Sequence, residues 1–174
     1  MPKRRPKARE RPHRIPNPQI WGAAEQYYQA CVILEEEQLD DRTLLPLLHS
    51  GAIALELYLK CLGATDVYQK VEDTLIQDLE RVHAEARPTP RLSELLKEIP
   101  VDTRNRLIAA FESSPLRRRT STFEKLLGLY EHLFAASRYP FEEKHHIKRY
   151  SPETLLGLIH FLRDTANHEY AYHL

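Results

Sequence analysis

Glycine is scarce in this chain, five in 174 residues. No Asn-Gly or Asp-Gly pair marks a tight hairpin, and no segment sustains an alternation of apolar and polar residues, which argues against a sheet. Cysteine is nearly absent too. Cys31 and Cys61 share no Cys-x-x-Cys or Cys/His spacing, so a zinc site is not indicated, and both read as buried thiols in a reducing cytoplasm rather than as a disulfide. The most apolar stretch, residues 44–64, is interrupted by His49, Glu56 and Lys60, which argues against a membrane span. No apolar segment follows the basic N-terminal residues, which argues against a secretory signal.

Net charge is absent as well, with 25 Lys and Arg against 25 Asp and Glu. The balance is uneven along the chain. Lys3, Arg4, Arg5, Lys7, Arg9, Arg11 and Arg14 face only Glu10 in the first fourteen residues, so the arm carries roughly +6 and the remainder roughly −6. The remainder therefore lacks the overall basic character of a generic nucleic-acid binder. Rich in proline and poor in apolar residues, positions 1–17 read as a disordered arm, able to touch phosphates or simply to solubilise.

What the sequence does contain is helical periodicity. Ile20, Ala24, Tyr27, Tyr28, Cys31 and Leu34 form one stripe of a helix over 18–38, started by Asn17 and Pro18. Leu48, Ala52, Leu55, Leu59 and Leu62 form a tighter seam, flanked by the small residues Gly51, Ala54 and Cys61 and closed by Gly63. Val71, Leu75, Leu79 and Val82 are spaced as in an amphipathic helix, so 67–86 is expected to be a helical excursion ended by Arg87-Pro88-Thr89-Pro90. Short helices are expected at 92–99 and 101–112, a basic loop at 113–121, one long helix at 123–138, and a last helix entered through Ser151 and Pro152. The fold class is all-α, an up-and-down bundle of four main helices with short additions in a single domain over 18–174.

Three Arg/His pairs have four to six residues between them: Arg42 and His49, Arg138 and His145, Arg163 and His168. Spacing alone does not choose among them. The first crosses Pro46, and the second lies in an irregular charged segment. The third sits on the last helix, where 100° per residue puts Leu155, Leu158, Ile159, Leu162, Ala166 and Tyr170 on one core face. His160, Arg163, Asp164, Asn167 and His168 fall on a neighbouring polar stripe that also holds the small residues Gly157 and Ala171. Arg163 can reach Asn167, and Asp164 can reach His168, each at i, i+4. An Asp bound to one imidazole nitrogen would fix the tautomer. The His could then move a proton from a ribose 2′-hydroxyl while the Arg meets charge on the phosphate, with no metal required. An exposed polar face on a C-terminal helix is the plainer reading of the same stripe.

The run Leu48-His49-Ser50-Gly51-Ala52-Ile53-Ala54-Leu55-Glu56-Leu57-Tyr58-Leu59-Lys60-Cys61-Leu62-Gly63, then Leu92-Ser93-Glu94-Leu95-Leu96, then Arg138-Tyr139-Pro140-Phe141-Glu142, then Arg163-Asp164 and His168, resembles the HEPN superfamily. That resemblance implies a dimeric helical bundle and a metal-independent endoribonuclease without a cofactor. Arg163 would be its phosphate-binding group, His168 its acid/base and Asp164 their polar neighbour, in a host-defence or toxin–antitoxin setting. RNA, a second copy of the chain and an antitoxin or nucleotidyltransferase-type protein are the implied partners. The residues themselves add Asn167 and His160, and Arg117, Arg118 and Arg119 of the basic loop, as substrate-binding candidates. The sequence departs from the family in reading Thr89-Pro90-Arg91 where many relatives have a His, and in the insertion at 67–86. Two other functions stay open: a non-catalytic HEPN module that binds RNA, nucleotide or protein, and a helical adaptor whose stripe is a dimer contact.

Overall fold

The computed structural model describes residues 9–12, 16–37, 42–70, 80–86, 91–142 and 146–172. Helices dominate: α1 (Pro18–Glu36), α2 (Leu44–Gly63), α3 (Leu92–Glu98), α4 (Val101–Glu112), α5 (Phe123–Tyr130), α6 (Leu133–Arg138) and α7 (Pro152–Tyr172), with 3₁₀ turns at Pro115–Arg118 and Ile147–Arg149. The proposed start signals act as expected. Asn17 Oδ1 accepts from the backbone N–H groups of Gln19 and Ile20, both at 3.1 Å. Ser151 Oγ likewise accepts from Thr154 N at 3.2 Å. Each cap satisfies donors that the first helical turn leaves open.

α2 is the central helix. Its seam is buried throughout, and so are Gly51, Ala54 and Cys61. By length and composition it could cross a membrane, yet half of its most apolar window is buried inside the bundle. α1 packs along α2, and α7 crosses it through Gly51. A Cβ at Gly51 would stand 2.7 Å from Leu155 Cδ2 and 3.2 Å from Ile159 Cδ1. Both side chains are fully buried and have little room to yield. Gly51→Ala is therefore expected to lower unfolding free energy by about 1–2 kcal/mol, an overpacking cost of about 1–3 kcal/mol offset by about 1 kcal/mol of helix propensity, a shift readable in urea titration. An unchanged midpoint would mean that α2 and α7 separate more easily than this packing implies.

Three expectations need correction. Residues 65–70 and 80–85 are not helical: β2 (Thr65–Lys70) and β3 (Glu80–Glu85) pair antiparallel, with Thr65 opposite Glu85 and Lys70 opposite Glu80. The four-residue spacing of Val71, Leu75 and Leu79, which lie outside the described residues, concealed the strand-favouring content of Thr65, Val67, Tyr68 and Val82. The N-terminal arm also contributes β1 (Arg9–Pro12), antiparallel to β2, in a three-stranded sheet ordered β1-β2-β3. Backbone pairing asks nothing of side-chain hydrophobicity, which is why composition missed it. The fold is thus mostly helical with a small sheet attached.

The third correction is the helix expected at 123–138, which breaks at Glu131 and His132 into α5 and α6. At the break Glu131 turns its carboxylate to Ser93, accepting from its N–H at 3.2 Å and its hydroxyl at 2.9 Å. The first turn of α3 gains the partner it lacked, which offsets the hydrogen bonds lost at the break.

Both thiols are buried and free. Burial pushes Cys31 up to about 12 from an ordinary 9.0, with Glu35 adding to the shift. Cys61 moves the same way, again chiefly by burial. The folded chain keeps protons that the unfolded chain releases, so the contribution of the thiols to stability should be level below about pH 9 and fall as pH rises toward 12. Guanidinium midpoints measured from pH 7 to 11 should show that decline, and Cys31→Ala should make it shallower.

Candidate functional site

α1 and α7 run antiparallel past one another, and the polar stripe of α7 meets α1 at one place. Arg163 Nε donates to both carboxylate oxygens of Glu25, at 2.9 and 3.0 Å. Tyr58 of α2 donates its hydroxyl to Glu25 Oε1 at 2.6 Å. The Arg163 guanidinium carbon lies 4.6 Å from the centre of the Tyr28 ring, whose hydroxyl is 3.2 Å from His160 Nδ1. One carboxylate, one guanidinium, two phenols and an imidazole are gathered from three helices.

The electrostatics follow from that contact set. The hydrogen bond that Arg163 donates to Glu25 outweighs partial burial and holds the guanidinium more firmly protonated than a free arginine. Burial, then the hydrogen bond and charge of Glu25, push the Tyr58 phenol well up, so it stays a neutral donor. Glu25 uses Nε alone. Among the described residues neither Nη group of Arg163 has a hydrogen-bond partner, and two parallel N–H donors on one guanidinium match two oxygens of a phosphate.

The remaining sequence-derived residues are placed differently. Arg163 bonds Glu25 rather than Asn167. Asp164 and His168 are both exposed, with no hydrogen bond between them among the described residues. On an ideal helix Arg163 and His168 are about 140° and 7.5 Å apart, so within one copy they do not converge. Asn167 lines a pocket of about 400 Å³ together with Pro18, Trp21, Gly22, Tyr170 and Ala171.

In the basic loop Arg117 donates to Glu112 at 2.7 Å and to Thr120 O at 3.1 Å, Arg119 pairs with Glu153 at 3.0 Å, and Arg118 is exposed. Leu116 of this loop comes within 3.3 Å of where a Gly157 Cβ would be. The small residue on the stripe therefore seats the loop. Of the other two Arg/His pairs, His49 bonds Ser137 Oγ through Nδ1 at 3.0 Å and stacks on Phe134, tying α2 to α6, while His145 lies outside the described residues.

Glu25, Tyr28 and Tyr58 had no part in the sequence-based site. The signal available was a glutamate directly beside the apolar stripe of α1, next to Ala24 and one turn before Tyr28. No group of three or more His, Cys, Asp and Glu residues that could hold a metal ion occurs among the described residues. No protein-family model matches the chain, and neither a curated protein nor a solved structure is detectably similar to it.

Proposed function

We propose that this chain is a metal-independent endoribonuclease of the HEPN type. It would act as a homodimer in the cytoplasm, cleaving RNA by attack of a ribose 2′-hydroxyl on the adjacent phosphorus to leave a 2′,3′-cyclic phosphate and a 5′-hydroxyl. The observation that carries this reading is the posture of Arg163. Its Nε is anchored by Glu25, its face is covered by Tyr28, and its two Nη groups are open, so it can receive a phosphate without reorganising. His168 supplies the acid/base function, and its distance from Arg163 along and around α7 favours a site completed by a second copy. Asp164, Asn167 and His160 lie along the same stripe, and the basic loop at Arg117, Arg118 and Arg119 offers further phosphate contacts. Host defence or a toxin–antitoxin pair, with an antitoxin or nucleotidyltransferase-type partner, is the setting that suits such an activity.

The test is RNA cleavage in EDTA by the wild type and by Arg163→Ala and His168→Ala. Equal cleavage by all three removes the assignment. A second reading has its own support: among the described residues the exposed His168 donates no bond to Asp164 that would set its tautomer, as befits a non-catalytic HEPN module that binds RNA, nucleotide or protein. That reading expects salt-sensitive RNA binding without cleavage.

A further inference from the structure

One turn beyond Arg163 on α7, and one turn before Glu25 on α1, the two helices line a pocket formed by Pro18, Trp21, Gly22, Asn167, Tyr170 and Ala171. Its walls are almost entirely apolar. Gly22 leaves it wide, since a Cβ there would meet nothing within 4 Å. Two aromatic side chains, Trp21 and Tyr170, border it, and beside their indole N–H and phenol the lining holds the Asn167 amide, the one side chain there that carries both a carbonyl acceptor and an N–H₂ donor.

We propose that this pocket receives a nucleobase of the RNA strand whose phosphate is held by Arg163. The proposal rests on the ribonuclease reading and adds to it a specificity subsite with Asn167 as the residue that reads the base. Three features favour a base over another flat apolar group. Aromatic walls suit the π-face that every base presents. An amide offers both a donor and an acceptor, as the edge of a base requires. Along the backbone of α7, Arg163 and Asn167 are four residues apart, about 6 Å of rise, comparable with the span of one nucleotide, so base and phosphate can be met together. An aliphatic ligand would use neither the amide nor the guanidinium.

The chain contains a single tryptophan, so intrinsic fluorescence reports on this pocket directly and without any cleavage. The four nucleoside 3′-monophosphates, titrated one at a time into the full-length wild type, are expected to change Trp21 emission saturably, with at least a threefold difference in affinity between the best and worst base. Asn167→Leu should flatten that difference, whereas Arg163→Ala should weaken all four by about the same factor, roughly tenfold for a lost charge-assisted contact. Saturable binding to wild type with base preference intact in Asn167→Leu overturns the role of Asn167. Absence of any saturable change in wild type overturns the pocket. Arg163-dependent cleavage with no fluorescence response leaves the ribonuclease reading standing and removes the subsite. Base-selective binding with no cleavage of any RNA does the reverse.

Discussion

Replacing Arg163 with alanine is expected to lower RNA cleavage by a factor of about 10²–10³, the loss that follows removal of one preorganised group facing developing charge. Lysine should not restore it. A single ammonium cannot hold Glu25 and present two parallel donors to a phosphate at the same time. Glu25→Gln keeps an acceptor for Nε and should cost far less activity than Glu25→Ala, which frees the guanidinium to swing. His168→Ala should cost about 10²–10⁴, the range for a lost acid/base group. Mixing the two inactive variants gives a sharper result. If Arg163 of one copy works with His168 of the other, each mixed dimer rebuilds one intact site, and about a quarter of wild-type activity should return on random reassortment. No recovery would place both residues in a single copy, against the separation that α7 imposes on them.

The sequence revealed the helical core because period and burial agree there. Leu48, Ala52, Leu55, Leu59 and Leu62 recur at the spacing of one helix face, and all five are buried. The starts at Asn17 and Ser151 were legible for a different reason, that a helix cap is a local interaction between residues two or three apart. Long-range events were not legible. The register of β1 on β2 and the turn of Glu131 toward Ser93 depend on segments more than thirty residues apart, and no local pattern encodes such pairing. The candidate site divides in the same way. A helical wheel separates Arg163 from the core face of α7, but the carboxylate that fixes it comes from α1, 138 positions earlier. One buried charge could have been found. At 100° per residue Glu169 falls within the core arc of α7, between Leu158 and Leu162, so the wheel itself called for a partner there.

That partner is Arg106, and its removal is expected to have the largest effect on stability. Glu169 is 2% exposed. Its carboxylate accepts two bonds from the guanidinium, from Nε at 2.7 Å and from Nη2 at 2.5 Å, and Nη2 also donates to Thr103 Oγ1 at 3.2 Å. Arg106→Met keeps the apolar stem but leaves a buried carboxylate without its guanidinium. Breaking such a pair costs about 3–5 kcal/mol. The lower end is expected here, since the Arg106 side chain is 38% exposed and water can reach what replaces its head. Even about 3 kcal/mol is a large share of the 5–15 kcal/mol that holds a domain of this size folded. Changing both residues to methionine should recover most of the loss, because no charge then remains to be desolvated. Guanidinium titration of the two single variants and the double variant tests this, and an Arg106→Met change below about 0.5 kcal/mol would show that the pair behaves as an ordinary surface bridge. The consequence reaches the site, since Glu169 follows His168 on α7 and its bond to α4 anchors the turns that carry Asn167, His168 and Tyr170. If Asn167 reads a base as proposed, that preference should weaken in Arg106→Met before the Arg163 contact with Glu25, about two turns earlier on α7, is lost.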